Sequence, residues 1–273
     1  MWLNVPMPSI KISYSNENLK ADAETLAAKL GLGLQGSSGD EKVLPKADYL
    51  LTFKPSGLCL ESTQQGGHGP IRCDFDSGTI THRRKYGGGN GQSIAKAVGI
   101  SGKFMPHVLD LTAGMGSDGF VLAGLGCRLT LLERNSIVYS LLYDGLQRAS
   151  LAGMGDSGLA EVVARIDLLE ADSLTYLQSL ESAQLPDVIY IDPMFPARKK
   201  SAKVKKEMQV FHGIVGADED AAELLVLALQ RAKYRVVVKR SAAAGHLGEM
   251  APSYSREGKT TRFDVYALHR LPS

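Results

Sequence analysis

From His107 onward the chain alternates between short apolar runs and longer stretches of helical periodicity. That alternation leaves few folds open. The runs 107–111, 128–132, 165–169, 188–191, 234–239 and 262–268 have the length of strands and are rich in Val, Leu and Ile. Helical stretches separate them, notably 135–152 and 218–232. Strands that read as nearly continuous apolar runs are buried on both faces. Strand–helix repetition therefore predicts an α/β fold, a doubly wound Rossmann-like parallel sheet with helices on both sides.

The first part of the chain lacks this rhythm and reads as a small α+β unit. Leu19, Ala23, Leu26, Ala27 and Leu30 recur at helical spacing, with Asn16 or Asn18 available as a cap and Gly31 and Gly33 as a stop. Three strand-like runs follow at 49–53, 58–61 and 71–75, the first two joined by the turn Lys54-Pro55-Ser56-Gly57. Tyr86-Gly87-Gly88-Gly89-Asn90-Gly91 is too glycine-rich for regular structure and marks a linker. The boundary is placed there, giving an N-terminal unit 1–88 and a main domain 89–273. At 273 residues the chain is long enough to bury a full core and carry a small extra unit.

The first strand of the main domain runs into Asp110-Leu111-Thr112-Ala113-Gly114-Met115-Gly116-Ser117-Asp118-Gly119. Gly114, Gly116 and Gly119 match G-x-G-x-x-G, a pattern that is weak alone and stronger between a strand and a helix. Its glycines permit a tight turn and close approach of a ligand. Nineteen residues past Gly114 the second strand ends in Glu133-Arg134, where an acid can accept from ribose hydroxyls. The third strand ends before Asp172-Ser173, placed either to accept from an adenine amine or to cap the next helix. Both NAD and S-adenosylmethionine suit such a half. Asp118 at the helix start would repel a pyrophosphate, whereas Asp110, Asp118 and Asp192 would favour a cationic sulfonium.

After the fourth strand comes Asp192-Pro193-Met194-Phe195-Pro196. Proline fixes its own φ and restricts the residue before it, so this exit is rigid and presents carbonyls. Asp192 and the Pro193 carbonyl can accept from an exocyclic amine while Phe195 stacks on its ring. A plain proline-rich loop is the other reading of the pentapeptide by itself.

Charge is unevenly placed. Arg198, Lys199, Lys200, Lys203, Lys205 and Lys206 fall within nine residues that hold no acid, and six charges exceed the whole chain's net +2, so the remainder is acidic. A second knot is His82-Arg83-Arg84-Lys85. Such clusters are either solvated loops or sites for a polyanion such as nucleic acid. The three cysteines and six histidines show no metal-ligand spacing, so no metal is expected. No apolar stretch approaches the ~20 residues of a membrane span, and no signal peptide is evident at Met1–Val5. A cytoplasmic location without membrane partners is the expectation.

Taken together, Asp110–Gly119, Leu132-Glu133-Arg134-Asn135, Asp192–Pro196 and Val236-Val237-Val238-Lys239-Arg240 resemble the RsmJ family within the class I methyltransferases. These are bacterial enzymes that methylate the N2 amine of guanine 1516 in 16S rRNA. The resemblance runs over most of the chain from about Gly88. It implies that Ser117-Asp118, Glu133-Arg134, Asp172-Ser173 and Asp192 grip S-adenosylmethionine, with Asp110, Gly114 and Gly116 shaping the same site. It implies 16S rRNA or the small ribosomal subunit as partner, with Asp192, Pro193 and Phe195 at the amine. Arg83, Arg84, Arg198, Lys199, Lys200 and Lys203 are the candidates for the RNA backbone. Met194 departs from amine methyltransferases generally, where a second proline is usual. The motifs alone also admit DNA adenine, another RNA guanine or a glutamine side chain as substrate. A nicotinamide-dependent oxidoreductase and a non-catalytic RNA-binding protein are the remaining alternatives.

Overall fold

The computed structural model describes residues 8–36, 47–64, 69–75, 91–194, 213–215, 220–258 and 260–272. They fall into two compact units. One draws on Met1–Cys73, Ser140–Gly145 and Met194–Ala217, the other on Asp74–Tyr139, Leu146–Pro193 and Asp218–Ser273.

The first unit is built on three strands in the order β1 (Ile10–Tyr14), β2 (Tyr49–Lys54) and β3 (Gly57–Ser62). β1 was not anticipated. It pairs parallel with β2, and helix α1 (Lys20–Leu30) lies between them in the chain, as a parallel crossover requires. Asn16 caps the short 3₁₀ turn that leads into α1, and Gly31 ends the helix at φ +63°. β2 and β3 form the expected hairpin. The expected strand over 71–75 shrinks to a single bridge between Ile71 and Leu60. Ile71 and Leu60 exchange both backbone hydrogen bonds, at 2.8 and 2.9 Å, and the pairing stops at that one residue.

The second unit opens with α2 (Ser93–Val98) and carries a seven-stranded sheet. In chain order its elements are β4 (His107–Asp110), α3 (Ser117–Gly124), β5 (Arg128–Glu133), α4 (Ser136–Gly153), α5 (Ser157–Val163) and β6 (Ile166–Glu170). Then come α6 (Ser173–Ser179), β7 (Val188–Ile191), α7 (Ala221–Arg231), β8 (Arg235–Ser241), β9 (Tyr254–Glu257) and β10 (Thr261–Ala267). The spatial order is β6-β5-β4-β7-β8-β10-β9. β4 through β8 are parallel, as the alternating pattern predicts. The sheet is nevertheless mixed, because β10 runs antiparallel to both β8 and β9. Only residues 258–260 join β9 to β10, too short a connection for a parallel crossover.

All of β7 and Val236–Val238 of β8 are buried, as are Val108, Leu109, Leu129, Leu131 and Leu132. Phe120, Leu122 and Ala123 of α3 and Leu224, Leu225 and Ala228 of α7 are buried with them. Each large aliphatic side chain so buried contributes roughly 1.5–3 kcal/mol. Gly119 sets how closely α3 approaches the sheet, since a Cβ there would lie 2.7 Å from Cδ2 of Leu131. That is the helix–strand packing role of the third glycine in this type of turn.

Candidate active site

The order in which strands are added reverses between β4 and β7, which are parallel: from β4 the sheet grows through β5 to β6 on one side, and through β7 to β8 on the other. In an open α/β sheet the crevice past the carboxyl ends of such strands is where ligands bind. Asp110 ends β4, Glu133 ends β5, Asp172 follows β6, Asp192 follows β7 and Lys239 lies near the end of β8. Because these strands are parallel, all five groups share one edge of the sheet.

The loop after β4 is locked at several points. Gly114 (φ +54°) and Gly116 (φ +69°) adopt left-handed backbone, which side chains resist at a cost of roughly 1–2 kcal/mol each. The Gly114 N–H donates to Oε2 of Glu133 at 2.9 Å, and the Asn135 N–H donates to Oε1 at 2.8 Å. The strand-end acid therefore shapes the loop as well as standing in the crevice. Asn135 in turn caps α4 by accepting from the N–H groups of Ile137 and Val138.

Asp110 is almost wholly buried and its carboxyl is pushed up to about 7, chiefly by desolvation. The Thr112 N–H donates to its Oδ1 at 3.0 Å and pulls the other way, while Asp118 and Asp192 add repulsion. The Thr112 hydroxyl oxygen accepts from the backbone N–H of Asp192 at 2.7 Å, which couples the β4 loop to the β7 exit.

Two residues in this arrangement carried no assigned role in the sequence: Tyr190 and Lys239. The Tyr190 hydroxyl donates to Oδ2 of Asp118 at 2.7 Å. Nζ of Lys239 donates to the same oxygen at 2.6 Å and to Oδ2 of Asp192 at 2.8 Å. Burial alone would lower the lysine, but the Asp192 and Asp118 carboxylates outweigh it and hold the ammonium above its usual range. Burial raises the Tyr190 hydroxyl well above its ordinary value, so it stays a donor. A signal was available for Tyr190, a lone polar group in the otherwise apolar run Val188–Ile191, since such a group needs a buried partner.

The family model for SAM-dependent methyltransferases matches residues 40–268. The ribosomal RNA small subunit methyltransferase J of Cellvibrio japonicus is 49% identical over 97% of this chain and 100% of its own length. Its namesake from Marinobacter nauticus is 47% identical over 92% of this chain and 88% of its own. The chain belongs to this family. A solved SAM-dependent methyltransferase from Neisseria gonorrhoeae has the same fold, with TM-score 0.68 and 35% identity over 94% of this chain and 95% of the other.

As a member of this methyltransferase family the protein is an enzyme, and S-adenosylmethionine is its methyl donor. The crevice fits that molecule. The left-handed glycines of the turn carry no side chains, and a cluster of carboxylates suits a sulfonium better than a pyrophosphate. Ser117 is exposed at the first turn of α3, beside Asp118.

Three further expected cofactor residues have structural partners, as Asp110, Asp118, Glu133 and Asp192 do. Asp172 caps α6, its Oδ1 accepting from the N–H and hydroxyl of Thr175 at 2.9 Å each, and the Thr175 N–H holds the carboxyl below its usual range. Ser173 is buried and donates to the Leu111 carbonyl at 2.6 Å, fastening α6 to the loop after β4. Arg134 pairs with Asp220 at 2.7 Å. Pro193 is buried behind Asp192. Phe195, Arg83, Arg84, Arg198, Lys199, Lys200 and Lys203 lie outside the described residues.

Proposed function

We propose that this enzyme transfers the methyl group of S-adenosylmethionine to the exocyclic N2 amine of a guanine in 16S rRNA, at position 1516. Its partner is the rRNA or the small ribosomal subunit, and its place is the cytoplasm, where ribosomes are made. What carries the reading is the Asp192-Pro193 exit of β7. It sets a carboxylate with 39% side-chain exposure at the switch point, on the edge where the other acids stand. Relatives named for the ribosomal RNA of the small subunit support the substrate.

The guanine amine is a poor nucleophile because its lone pair is delocalised into the ring. Asp192 and the Pro193 carbonyl accept its N–H groups, favour pyramidalisation and aim the lone pair at the donor. The bound cofactor supplies an electrophilic methyl group on a positively charged sulfur. Positioning provides most of the acceleration, since an aligned attack replaces a bimolecular encounter. The alkylated amine is acidic enough to lose its proton to Asp192 or to water, so no strong base is needed. Phe195 stacks on the base, which leaves its own stack to reach the crevice. Asp110, Gly114, Gly116, Ser117, Asp118, Glu133, Arg134, Asp172 and Ser173 form or support the cofactor side. Arg83, Arg84, Arg198, Lys199, Lys200 and Lys203 hold phosphates.

The test is an Asp192→Asn enzyme assayed on small subunits from cells lacking this gene. Turnover should fall by about 100-fold or more, while S-adenosylhomocysteine still binds by calorimetry. Near-normal turnover would remove Asp192 from its role. Unchanged N2-methylguanosine in the 16S rRNA of cells lacking the gene would remove the substrate.

A further inference from the structure

The register of the sheet puts Lys239 beside Asp192: β7 and β8 pair in parallel with Ile191 opposite Val238, so the next residue on each side is Asp192 and Lys239. Its ammonium reaches Oδ2 of Asp192 at 2.8 Å and Oδ2 of Asp118 at 2.6 Å. We propose that Lys239 is a positioning residue for methyl transfer, tying the substrate-side carboxylate of Asp192 to the cofactor-side carboxylate of Asp118 and keeping Asp192 ionised and aimed. This rests on the assignment of Asp192 as amine acceptor made above.

Three observations favour positioning over plain fold stabilisation. The three residues before Lys239, Val236–Val238, are completely buried and apolar, so an aliphatic side chain would serve the core as well or better. The lysine contacts the one acid that opens α3 and the one that leaves β7, linking the two halves of the crevice through a single atom. Tyr190 adds a second donor on Asp118 from β7 itself, which fixes that carboxylate from two sides. Among the described residues, the titratable groups facing this point are Asp110 from β4, Asp118 from α3, Tyr190 and Asp192 from the β7 strand and its exit, and Lys239 from β8. Without the ammonium, three carboxylates would face one another.

The experiment measures kcat and kcat/KM against pH for the wild type, Lys239→Met, Lys239→Gln, Lys239→Arg and Asp192→Asn. The substrates are small ribosomal subunits from cells lacking the gene and radiolabelled S-adenosylmethionine, with thermal unfolding followed in parallel. Losing an opposite charge at this distance raises a carboxyl by about one to three units. The acid limb of both neutral variants should therefore move up by about one pH unit or more, with kcat falling further than KM for the subunit rises. Lys239→Arg should bring the limb back toward its wild-type position. A lower unfolding temperature with an unmoved acid limb would make Lys239 a structural residue and overturn the proposal. Failure of both neutral variants to fold would do the same. Retained turnover in Asp192→Asn would instead overturn the reading of Asp192, whatever the lysine variants do.

Discussion

Asp110 sits at the point where two requirements conflict. Its Oδ1 is needed to accept from the Thr112 N–H at 3.0 Å, yet burial and the neighbouring acids penalise its charge and push it to about 7. A carboxyl raised above its unfolded value binds more protons when folded, so its contribution to stability is complete below about pH 4 and is lost as pH rises to about 7. Asp110→Asn keeps the oxygen acceptor and removes the charge. The variant should gain on the wild type between pH 5 and pH 8, by a few kcal/mol at most, in denaturant titrations at the two pH values. An equal difference at both would show that Asp110 does not titrate there. Legibility at this scale was uneven. Asp110, Glu133 and Asp192 were visible because an acid that closes an apolar run stands out from the strand before it. Lys239 and Tyr190 were not singled out, because their partners are 47 and 72 residues away in sequence and only the sheet register brings them together.

At the scale of elements, the far edge of the main sheet departs most from expectation. All four residues of β9 lie at the surface and carry no apolar period, so nothing in the sequence marked it as a strand. What fixes this edge is Asp264 on β10, which is completely buried. Nε of Arg262 donates to its Oδ1 at 2.7 Å and Nη2 to its Oδ2 at 2.9 Å, a bidentate pair within one strand. The Ser255 hydroxyl of β9 donates to Oδ1 at 2.6 Å, and His246 lies 3.2 Å from Oδ2. Asp264→Ala would strand a buried guanidinium, and breaking a pair of that kind costs about 3–5 kcal/mol. The expected result is a lower denaturation midpoint with secondary structure in β4–β7 retained. A midpoint within experimental error of the wild type would show that Arg262 finds another partner. By contrast, β4, β5, β7 and β8 were all readable, because burial on both faces forces a continuous apolar run that a sequence displays directly.

For the whole molecule, the charge distribution carries its own expectation. The six cations within 198–206 outweigh the net +2 of the chain, and phosphate neutralisation makes nucleic-acid affinity fall with salt. Replacing Arg198, Lys199, Lys200 and Lys203 together by alanine should raise KM for the small subunit and flatten its salt dependence. Each phosphate contact removed should lower that slope by roughly 0.7–0.9. S-adenosylhomocysteine affinity should stay unchanged. An unaltered salt slope would assign RNA contact to other residues. The sequence by itself determined the parallel α/β core, the glycine turn and the strand-end acids, because burial, backbone freedom and charge are local properties that leave local patterns. Only the tertiary structure decided the mixed edge of the sheet and the junction of Asp118, Tyr190, Asp192 and Lys239. Strand direction and a shared ammonium depend on which distant segments lie side by side, and no local pattern encodes that pairing.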